Sequence, residues 1–382
     1  MSAPREVVID ARWLRTGIGR YILTLLKNLK PKLPDTLLTC ITMSAHAATL
    51  APLCDRIIEM NCGIYSLAEQ LRLPLAAEGA SVFCAPHYNI PILRRGPMVV
   101  TIHDLTHLLF PEYRGTMRAR IYANAMFRIA SVRANRIITP SHYTRNCLIE
   151  RLAADPAKIS VVPCTVSGAF HQQPKEQAAE AVRILCGVDA PYILFVGSAA
   201  PHKNLVTLLK AHRLLYAKHR DAPHLVLVLP RKADSTGVDR ELGSLLANQS
   251  VHCLHSISDE SLAALYAAAV MTVMPSFEEG FGLPVIESMG CGTPVACSRA
   301  ASLPEIAGDG AIYFDPHSAE EMVWAIDQLF TSQDLRRRLA ERGMQRAASF
   351  SGTRAASAYA AILASVATDT TPATVPERQY GL

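Results

Sequence analysis

Hydrophobic and polar positions repeat along the chain in a fixed order: a short apolar run, a loop, and then an amphipathic segment. The first repeat starts with the apolar run 6–10 and ends with the segment 21–29, whose apolar residues fall on one helical face. Short apolar runs alternating with amphipathic helices are typical of a parallel sheet covered by helices. The pattern therefore predicts an α/β protein.

The alternation occurs in two successive blocks, which predicts two Rossmann-like domains with parallel sheets. We place the N-terminal domain at 1–168 and the C-terminal domain at 181–349. The polar segment 167–180 shows no clear pattern and is predicted to be the interdomain linker. Residues 367–382 are rich in Thr and Pro, so we expect a disordered tail.

The expected elements follow the two blocks. Strands are predicted at 6–10, 81–85, 97–102, 136–139 and 158–162, and then at 192–197, 225–229, 251–254, 270–274 and 294–296. Helices are predicted at 21–29, 118–133, 205–218, 262–269, 284–289 and 353–366.

Composition supports two ordinary domains. The chain has 382 residues, of which 50% are hydrophobic, enough for a core in each domain. No apolar run reaches the roughly 18 residues needed to span a bilayer. The polar start predicts that there is no signal peptide, so we expect a cytoplasmic protein. The ten cysteines include no C-x-x-C pair, so we expect free thiols and no zinc site.

Charge is divided unevenly between the two halves. The net charge is +5, but residues 1–185 carry +9 and the remainder carries −4. The basic half suits phosphate-bearing lipid, an anionic membrane or nucleic acid, although simple surface solubility also explains it. No basic motif interleaved with aromatic residues appears, so we expect no nucleic-acid partner. Two interpretations are open for the basic stretch: docking on anionic lipid at the inner face of the membrane, or a solvated helix face. Its arginines are Arg114, Arg118, Arg120, Arg128, Arg133 and Arg136.

The most informative segment is 275–287, which is expected to run from a strand end through a glycine-containing loop into a helix. Pro284 suits the first helical position. Gly280 and Gly282 allow backbone N–H groups to approach a ligand, and a helix N-terminus favours an anion. Glu279 and Glu287 add carboxylates that accept hydrogen bonds from vicinal hydroxyls. We expect Glu287 in the first helical turn. The segment therefore predicts a site for a ligand with hydroxyls and phosphates.

This segment resembles the signature of the family 4 retaining glycosyltransferases, over a dozen neighbouring positions from Glu279 to Val295. The resemblance implies a GT-B fold, with the two domains facing a cleft and the segment 350–366 crossing back to the first domain. It implies that Glu279 contacts hydroxyls of the donor sugar and that Glu287 binds the ribose hydroxyls. The backbone expected to support the sugar and pyrophosphate is Gly280, Phe281, Gly282 and Leu283.

Three further segments resemble motifs of the same family. Lys203 follows a predicted strand near a helix start and is implied to bind the donor phosphates, with His202 where Arg is common. His103, at another strand end, is implied to approach the donor sugar. Gly17 and Gly19 resemble the first loop, near the donor phosphates and the acceptor.

Other segments carry weaker predictions. The segment 86–89 is a candidate for the acceptor side, and Ser141 is expected to cap a helix. By analogy the segment 254–259 holds the nucleotide base, but the glycine usual in the family is missing. No D-x-D motif occurs, so lysine and helix N-termini would stabilise the pyrophosphate and no metal is expected.

The expected activity is metal-independent transfer of a hexose, with retention, from a nucleotide sugar to a glycan or lipid-linked saccharide in surface polysaccharide synthesis. The segment Lys203-Asn204-Leu205 resembles that of bacterial surface-polysaccharide mannosyltransferases, which favours mannose carried as GDP-mannose. The nucleotide sugar is a substrate, so no cofactor is expected. Alternative hypotheses are a sugar-nucleotide epimerase or phosphorylase of the same fold, or a non-catalytic basic binding protein.

Overall fold

The computed structural model describes residues 5–14, 17–110, 116–219, 221–230 and 250–367. The chain forms two compact units. The first runs to Thr165 and includes the segment from Phe350, and the second runs from Val166 to Ser349. The predicted tail lies outside the described residues except for residue 367. Arg114, the first arginine of the basic stretch, also lies outside the described residues.

The first unit is a seven-stranded sheet in the order β3-β2-β1-β4-β5-β6-β7, in which every pair is parallel. Its strands are β1 Glu6–Asp10, β2 Leu37–Thr42, β3 Arg56–Glu59, β4 Val82–Ala85, β5 Met98–Thr101, β6 Arg136–Thr139 and β7 Ile159–Val161. Its helices begin with α1 Gly17–Leu29, α2 Ala47–Leu50, α3 Leu67–Ala76, α4 Thr106–Leu109, α5 Met117–Arg133 and α6 His142–Leu152.

The second unit is a six-stranded parallel sheet in the order β10-β9-β8-β11-β12-β13. Its strands are β8 Tyr192–Val196, β9 His224–Leu229, β10 Val251–His255, β11 Met271–Met274, β12 Val295–Ser298 and β13 Ala311–Phe314. Its helices are α7 Lys175–Cys186, α8 Leu205–Lys218, α9 Asp259–Ala268, α10 Leu283–Gly290, α11 Leu303–Ala307, α12 Ala319–Thr331 and α13 Gln333–Ala348.

The last described helix, α14 Gly352–Ala367, belongs to the first unit and packs against α1. The approach of the two helices is close, since a Cβ added at Gly352 would lie 2.8 Å from the side chain of Asn28. Tyr359 of α14 is buried. On the opposite face of this sheet, α3, α5 and α6 share one apolar cluster that includes Leu73, Phe127 and Leu148.

The α/β class and the parallel sheets are confirmed. The predicted linker is wrong in part, because 167–180 belongs to the second unit and α7 begins at Lys175. Ala178 and Val182 explain this: they are buried one turn apart, which gives α7 an apolar face. Helix α1 begins at Gly17, four residues before the predicted start at Tyr21. Strands β2, β3 and β13 were not predicted.

Candidate functional site

Each sheet has a point where the strand order reverses, and most of the predicted site residues follow strands at these points. In the second unit the reversal lies between β8 and β11, because β9 and β10 lie to one side and β12 and β13 to the other. In the first unit it lies between β1 and β4. In open parallel sheets, ligands bind beyond the carboxyl ends of the strands at such a point.

The loop after β8 presents Lys203. Gly197 follows the strand directly, and a Cβ there would come within 3.1 Å of the Phe195 ring. Residues Pro201–Lys203 form one 3₁₀ turn, and Asn204 then adopts a left-handed φ of 57°. The buried Asn204 side chain donates hydrogen bonds to the carbonyl oxygens of Pro275 at 3.0 Å and Pro316 at 2.7 Å. Asn204 thereby fixes the turn that carries Lys203 to the loop after β11.

The loop after β11 presents Glu279. The Oγ of Ser276 donates to Glu279 Oε1 at 2.8 Å, which orients the carboxylate. The Oγ of Ser302 donates to the Glu279 carbonyl oxygen at 2.9 Å, which fixes the backbone. The Phe277 N–H donates to the His202 carbonyl oxygen at 2.8 Å, so the two loops are also joined through their backbones.

Lys203 and Glu279 form an ion pair at this position. The Lys203 Nζ lies 2.5 Å from Glu279 Oε1, although the residues are 76 positions apart in sequence. The side chains are 18% and 10% exposed, so solvent reaches both. The structure therefore brings together the cation predicted to bind phosphate and the carboxylate predicted to bind sugar hydroxyls.

The glycine-containing segment leads from Glu279 into α10. Gly282 precedes the helix with φ +91°, a conformation that L side chains rarely adopt. A Cβ on Gly282 would also lie 2.8 Å from Leu303 Cδ2. Gly280 and Phe281 are buried, and Leu283 is the first residue of α10. The segment thus places the N-terminus of an eight-residue helix beside the ion pair.

Glu287 lies on α10 but not in its first turn, so that part of the prediction is wrong. It is the fifth residue of the helix, because α10 begins at Leu283 and Pro284 is the second residue. The side chain is buried, and its Oε2 accepts a hydrogen bond from the Tyr266 hydroxyl at 3.0 Å. Tyr266 on α9 therefore orients Glu287. Its ribose-binding role stays a prediction.

In the first unit, Gly17 and Gly19 lie in the first turn of α1, after β1. A Cβ at Gly17 would have nothing within 4 Å, and Gly17 is exposed. A Cβ at Gly19 would lie 2.3 Å from the Leu14 carbonyl oxygen. Because Gly19 has no side chain, the backbone at Leu14 can pass close to the start of α1. The surface at Gly17 is open, so a side chain would fit there.

His103 follows β5, one strand further from the reversal point. Its Nε2 lies 3.0 Å from the Pro86 carbonyl oxygen, and its ring meets Tyr21 edge-on with centroids 4.7 Å apart. Burial lowers the pKa of His103, while Asp104 and the Pro86 carbonyl oppose that shift. The ring is therefore neutral at pH 7, with Nε2–H donating to Pro86. Its catalytic role stays a prediction.

The weaker sequence predictions have mixed outcomes. Ser141 caps α6, since its Oγ accepts from the Thr144 N–H at 3.1 Å, as predicted. In the candidate acceptor segment, His87 is buried and stacks on Trp13 with centroids 4.0 Å apart. Sequence reasoning predicted no structural role for the residues that hold the site together, because side-chain hydrogen bonds of this kind leave no pattern in the sequence. They are Asn204, Tyr266, Ser276 and Ser302.

The described ranges contain neither a cluster of potential metal ligands nor a helix that could span a membrane. Within them, no group of three His, Cys, Asp or Glu side chains is arranged to hold a metal ion. No helix in the same ranges has the length and apolar character to cross a bilayer.

Two family models match this chain. The Glycosyltransferase Family 4 model matches residues 59–168, in the first unit. The model for glycosyl transferases group 1 matches residues 179–346, in the second unit, and this range includes Lys203, Glu279 and Glu287.

Similar proteins include two O-antigen chain enzymes. The O-antigen chain mannosyltransferase RfbU of Salmonella typhimurium is 27% identical over 70% of this chain and 69% of its own length. The O-antigen chain mannosyltransferase B of Escherichia coli is 29% identical over 71% of this chain and 70% of its own length. Among solved structures, Anabaena HepE in complex with UDP and glucose has a TM-score of 0.75 at 16% identity, covering 93% of this chain and 98% of its own.

Proposed function

The chain belongs to the family 4 glycosyltransferases, and we propose that it transfers mannose from GDP-mannose to a glycan or lipid-linked saccharide in surface polysaccharide synthesis. The similarity to two O-antigen chain mannosyltransferases supports the choice of sugar and pathway. We propose retention at the anomeric carbon, no metal requirement and no resident cofactor, as the family resemblance implies.

The observation that carries the proposal is the ion pair between Lys203 and Glu279 at the reversal point of the second sheet. Both side chains are partly exposed, so a ligand can replace one partner of the pair. A nucleotide diphosphate carries more negative charge than one carboxylate and would draw the Lys203 ammonium toward it. Glu279 would then be free to accept hydrogen bonds from the hydroxyls of the donor sugar.

The proposed chemistry is the stabilisation of a leaving group. As the bond between the anomeric carbon and the phosphate oxygen breaks, negative charge develops on the nucleotide diphosphate. Lys203 and the N-terminal N–H groups of α10 stabilise this charge, because both are fixed before the reaction begins. The acceptor hydroxyl attacks the face of the sugar that the phosphate leaves: its oxygen bonds to the anomeric carbon, and its proton passes to the departing phosphate oxygen. No enzyme nucleophile is assigned.

Glu287 and His103 take supporting roles in this proposal. The carboxylate of Glu287, oriented by Tyr266, accepts hydrogen bonds from the ribose hydroxyls. His103, neutral at pH 7, is proposed to position the donor sugar, as the family resemblance implies. The segment 86–89 is the candidate for the acceptor side.

The test is the thermal shift of the purified protein with GDP, UDP, ADP and their sugar conjugates, with and without EDTA. A ligand at about 100 times its Kd stabilises the native state by about 2.7 kcal/mol. We expect GDP and GDP-mannose to raise the Tm, EDTA to change nothing, and Glu287→Ala to lose the shift. No shift with any nucleotide would contradict the proposed donor site.

A matched pair of lysine variants isolates the proposed phosphate contact. Lys203 and Lys218 both lie in the second unit and both form ion pairs, with Glu279 at 2.5 Å and with Asp327 at 2.6 Å. Lys203→Gln should lose the nucleotide shift, whereas Lys218→Gln should keep it. Equal losses in the two variants would mean that Lys203 has no specific role in binding phosphate.

Product analysis separates transfer from the alternative activities. Incubation of the donor with a mannosylated acceptor, followed by NMR of the product, should show an anomeric configuration identical to that of the donor. An epimerase would change the sugar nucleotide without any acceptor, and a phosphorylase would require inorganic phosphate. Either of those results, or an inverted product, would contradict the proposed reaction.

A further inference from the structure

Helix α3 buries a carboxylate beside Leu73 on its core side and exposes a row of leucines on its solvent side. Its carboxylate, Glu69, is buried against the core, while Leu67, Leu71 and Leu75 are 87%, 61% and 69% exposed. The three leucines are spaced by four residues and therefore form one stripe along the helix. A surface helix of a globular protein normally buries such a stripe. Since these leucines add nothing to the core, they point to an apolar partner.

The core side of α3 explains why Glu69 faces inward. The Glu69 Oε1 accepts a hydrogen bond from Arg12 Nη2 at 2.5 Å, and Oε2 accepts from the Tyr65 N–H at 2.7 Å and from Asn89 Nδ2 at 3.0 Å. These contacts fix the rotation of the helix about its own axis. The helix cannot turn its leucines inward without taking the Glu69 carboxylate away from these three donors, so the contacts of Glu69 fix the exposed position of the stripe.

Two neighbouring segments extend this surface. Leu73 of α3 and Phe127 of α5 belong to one buried cluster, so both helices cover the same face of the sheet. The Arg94 side chain donates to the Ala77 carbonyl oxygen at the end of α3, and Arg133 of α5 donates to the Arg94 carbonyl oxygen at 2.7 Å. The exposed side of α3, the segment 92–96 and α5 is called the apolar–basic face below. Its other exposed apolar side chains are Leu93, Met117, Ile121 and Val132.

The charges on the apolar–basic face are almost all positive. Within 67–96 and 116–133 the only exposed carboxylate is Glu78. Five arginines are exposed in the same ranges: Arg72, Arg95, Arg118, Arg128 and Arg133. Helix α5 contains no acidic residue at all. The surface that exposes apolar side chains is thus also the surface that attracts anions.

We propose that the apolar–basic face docks the first unit on an anionic lipid bilayer. Surfaces that bind the interface of a bilayer combine apolar side chains, which enter the acyl boundary, with Arg or Lys, which meet the anionic headgroups. A second copy of the chain fits this surface poorly, because a two-fold interface would bring the five arginines of each copy against those of the other. The proposal goes beyond the donor chemistry and does not depend on the sugar.

The test is co-sedimentation of the full chain with vesicles of phosphatidylcholine alone and with vesicles of equal parts phosphatidylcholine and phosphatidylglycerol. We expect binding to the anionic vesicles, weakened by salt, and little binding to the neutral vesicles. Replacing Leu67, Leu71 and Leu75 together by serine should weaken partitioning at least about tenfold, and each Arg118→Gln or Arg128→Gln change about fivefold.

Matched controls come from the second unit. Ile184, Leu214 and Trp324 are also exposed apolar residues there, so their replacement by serine removes similar surface. Arg338→Gln and Arg342→Gln remove exposed arginines from α13. Both controls should bind vesicles as the unchanged chain does. The leucine variant should keep its nucleotide thermal shift, which separates this test from that of the donor site.

Four results would overturn the proposal. The first is the absence of binding to anionic vesicles, and the second is equal loss in the leucine variant and the second-unit control. The third is a concentration-dependent dimer in analytical ultracentrifugation that the leucine substitutions abolish, since this would assign the face to a second copy. Binding to an acidic protein but not to vesicles would likewise exclude the bilayer.

Discussion

The two sheets place charge at their reversal points in opposite ways. In the second unit, Lys203 and Glu279 remain 18% and 10% exposed. In the first unit, Asp10 ends β1, Arg12 follows it and Glu69 comes from α3, and their side chains are at most 2% exposed. The Arg12 Nε and Nη2 each lie 2.8 Å from an oxygen of Asp10. One constellation is open to a ligand, and the other is sealed.

Desolvation makes the two groups of charges respond differently to the loss of a partner. A buried charge costs several kcal/mol unless partners compensate it, and removal of one partner exposes that cost. Burial alone would lower the pKa of Arg12, but Asp10 and Glu69 raise it above its usual value, so the guanidinium stays charged. Removal of one member of the sealed constellation should therefore destabilise the first unit. The open pair can exchange partners with a ligand at little cost to the fold.

The largest expected effect is on stability in the first unit. Arg12→Met leaves two buried carboxylates uncompensated and should lower the free energy of unfolding by about 3–5 kcal/mol. The chain has two tryptophans, Trp13 in the first unit and Trp324 in the second. Urea denaturation in a Trp324→Phe background therefore monitors the first unit alone.

A neutral triple variant controls for the arginine prediction. Combining Arg12→Met with Asp10→Asn and Glu69→Gln removes the uncompensated charge and should restore much of the lost stability. If Arg12→Met alone costs less than about 1 kcal/mol, the sealed constellation is not what stabilises this unit.

The open pair should show the opposite behaviour, with a large loss of activity and little loss of stability. Glu279→Gln should lower kcat/KM for sugar transfer about a hundredfold or more, because it removes the proposed contact between this carboxylate and the reacting sugar. Binding of nucleotide diphosphate should survive, since Lys203 remains. Activity assays and thermal shifts with GDP measure the two effects separately.

Asp327→Asn is the matched control for Glu279, because Asp327 also pairs with a lysine of the second unit. It should retain transfer activity. Equal losses in the two variants, or a Glu279→Gln protein whose Trp324 fluorescence shows unfolding, would remove the distinction between the open and the sealed charges.

The buried His212 makes the free energy of unfolding of the second unit depend on pH, and the expected effect is of intermediate size. Burial lowers the pKa of His212 from 6.5 to about 4, with a smaller contribution from His224. Its folded pKa lies below its unfolded pKa, so stability falls as pH decreases from 6.5 toward 4. The loss reaches about 2 kcal/mol at about pH 5. Urea denaturation of a Trp13→Phe background, with and without His212→Gln, should show this slope only with histidine present.

The smallest expected effect separates two neighbouring glycines of the first unit. Gly19→Ala places a Cβ 2.3 Å from the Leu14 carbonyl oxygen and should cost about 1–3 kcal/mol. Gly17→Ala meets no atom within 4 Å and should change stability by less than about 0.5 kcal/mol. Denaturation followed at Trp13 measures both. Similar costs in the two variants would contradict the close approach assigned to Gly19.

Local sequence determined much of this protein. The alternation of apolar runs and amphipathic segments gave the α/β class and ten of the thirteen strands, since burial on both faces of a parallel strand leaves a continuous apolar run. Strands β2 and β3 lay in a stretch for which we predicted no elements. The segment from Glu279 to Glu287 indicated the donor site because all its residues are neighbours in sequence.

Only the tertiary structure decided which distant residues meet. Lys203 and Glu279 pair because β8 and β11 are adjacent, an order that no local pattern contains. The exposure of Leu67, Leu71 and Leu75 was equally hidden, because their spacing alone predicts a buried face. The rotation of α3 depends on Arg12, which lies 57 residues from Glu69. Local periodicity does not contain contacts of this kind, because they join residues that only the folded chain brings together.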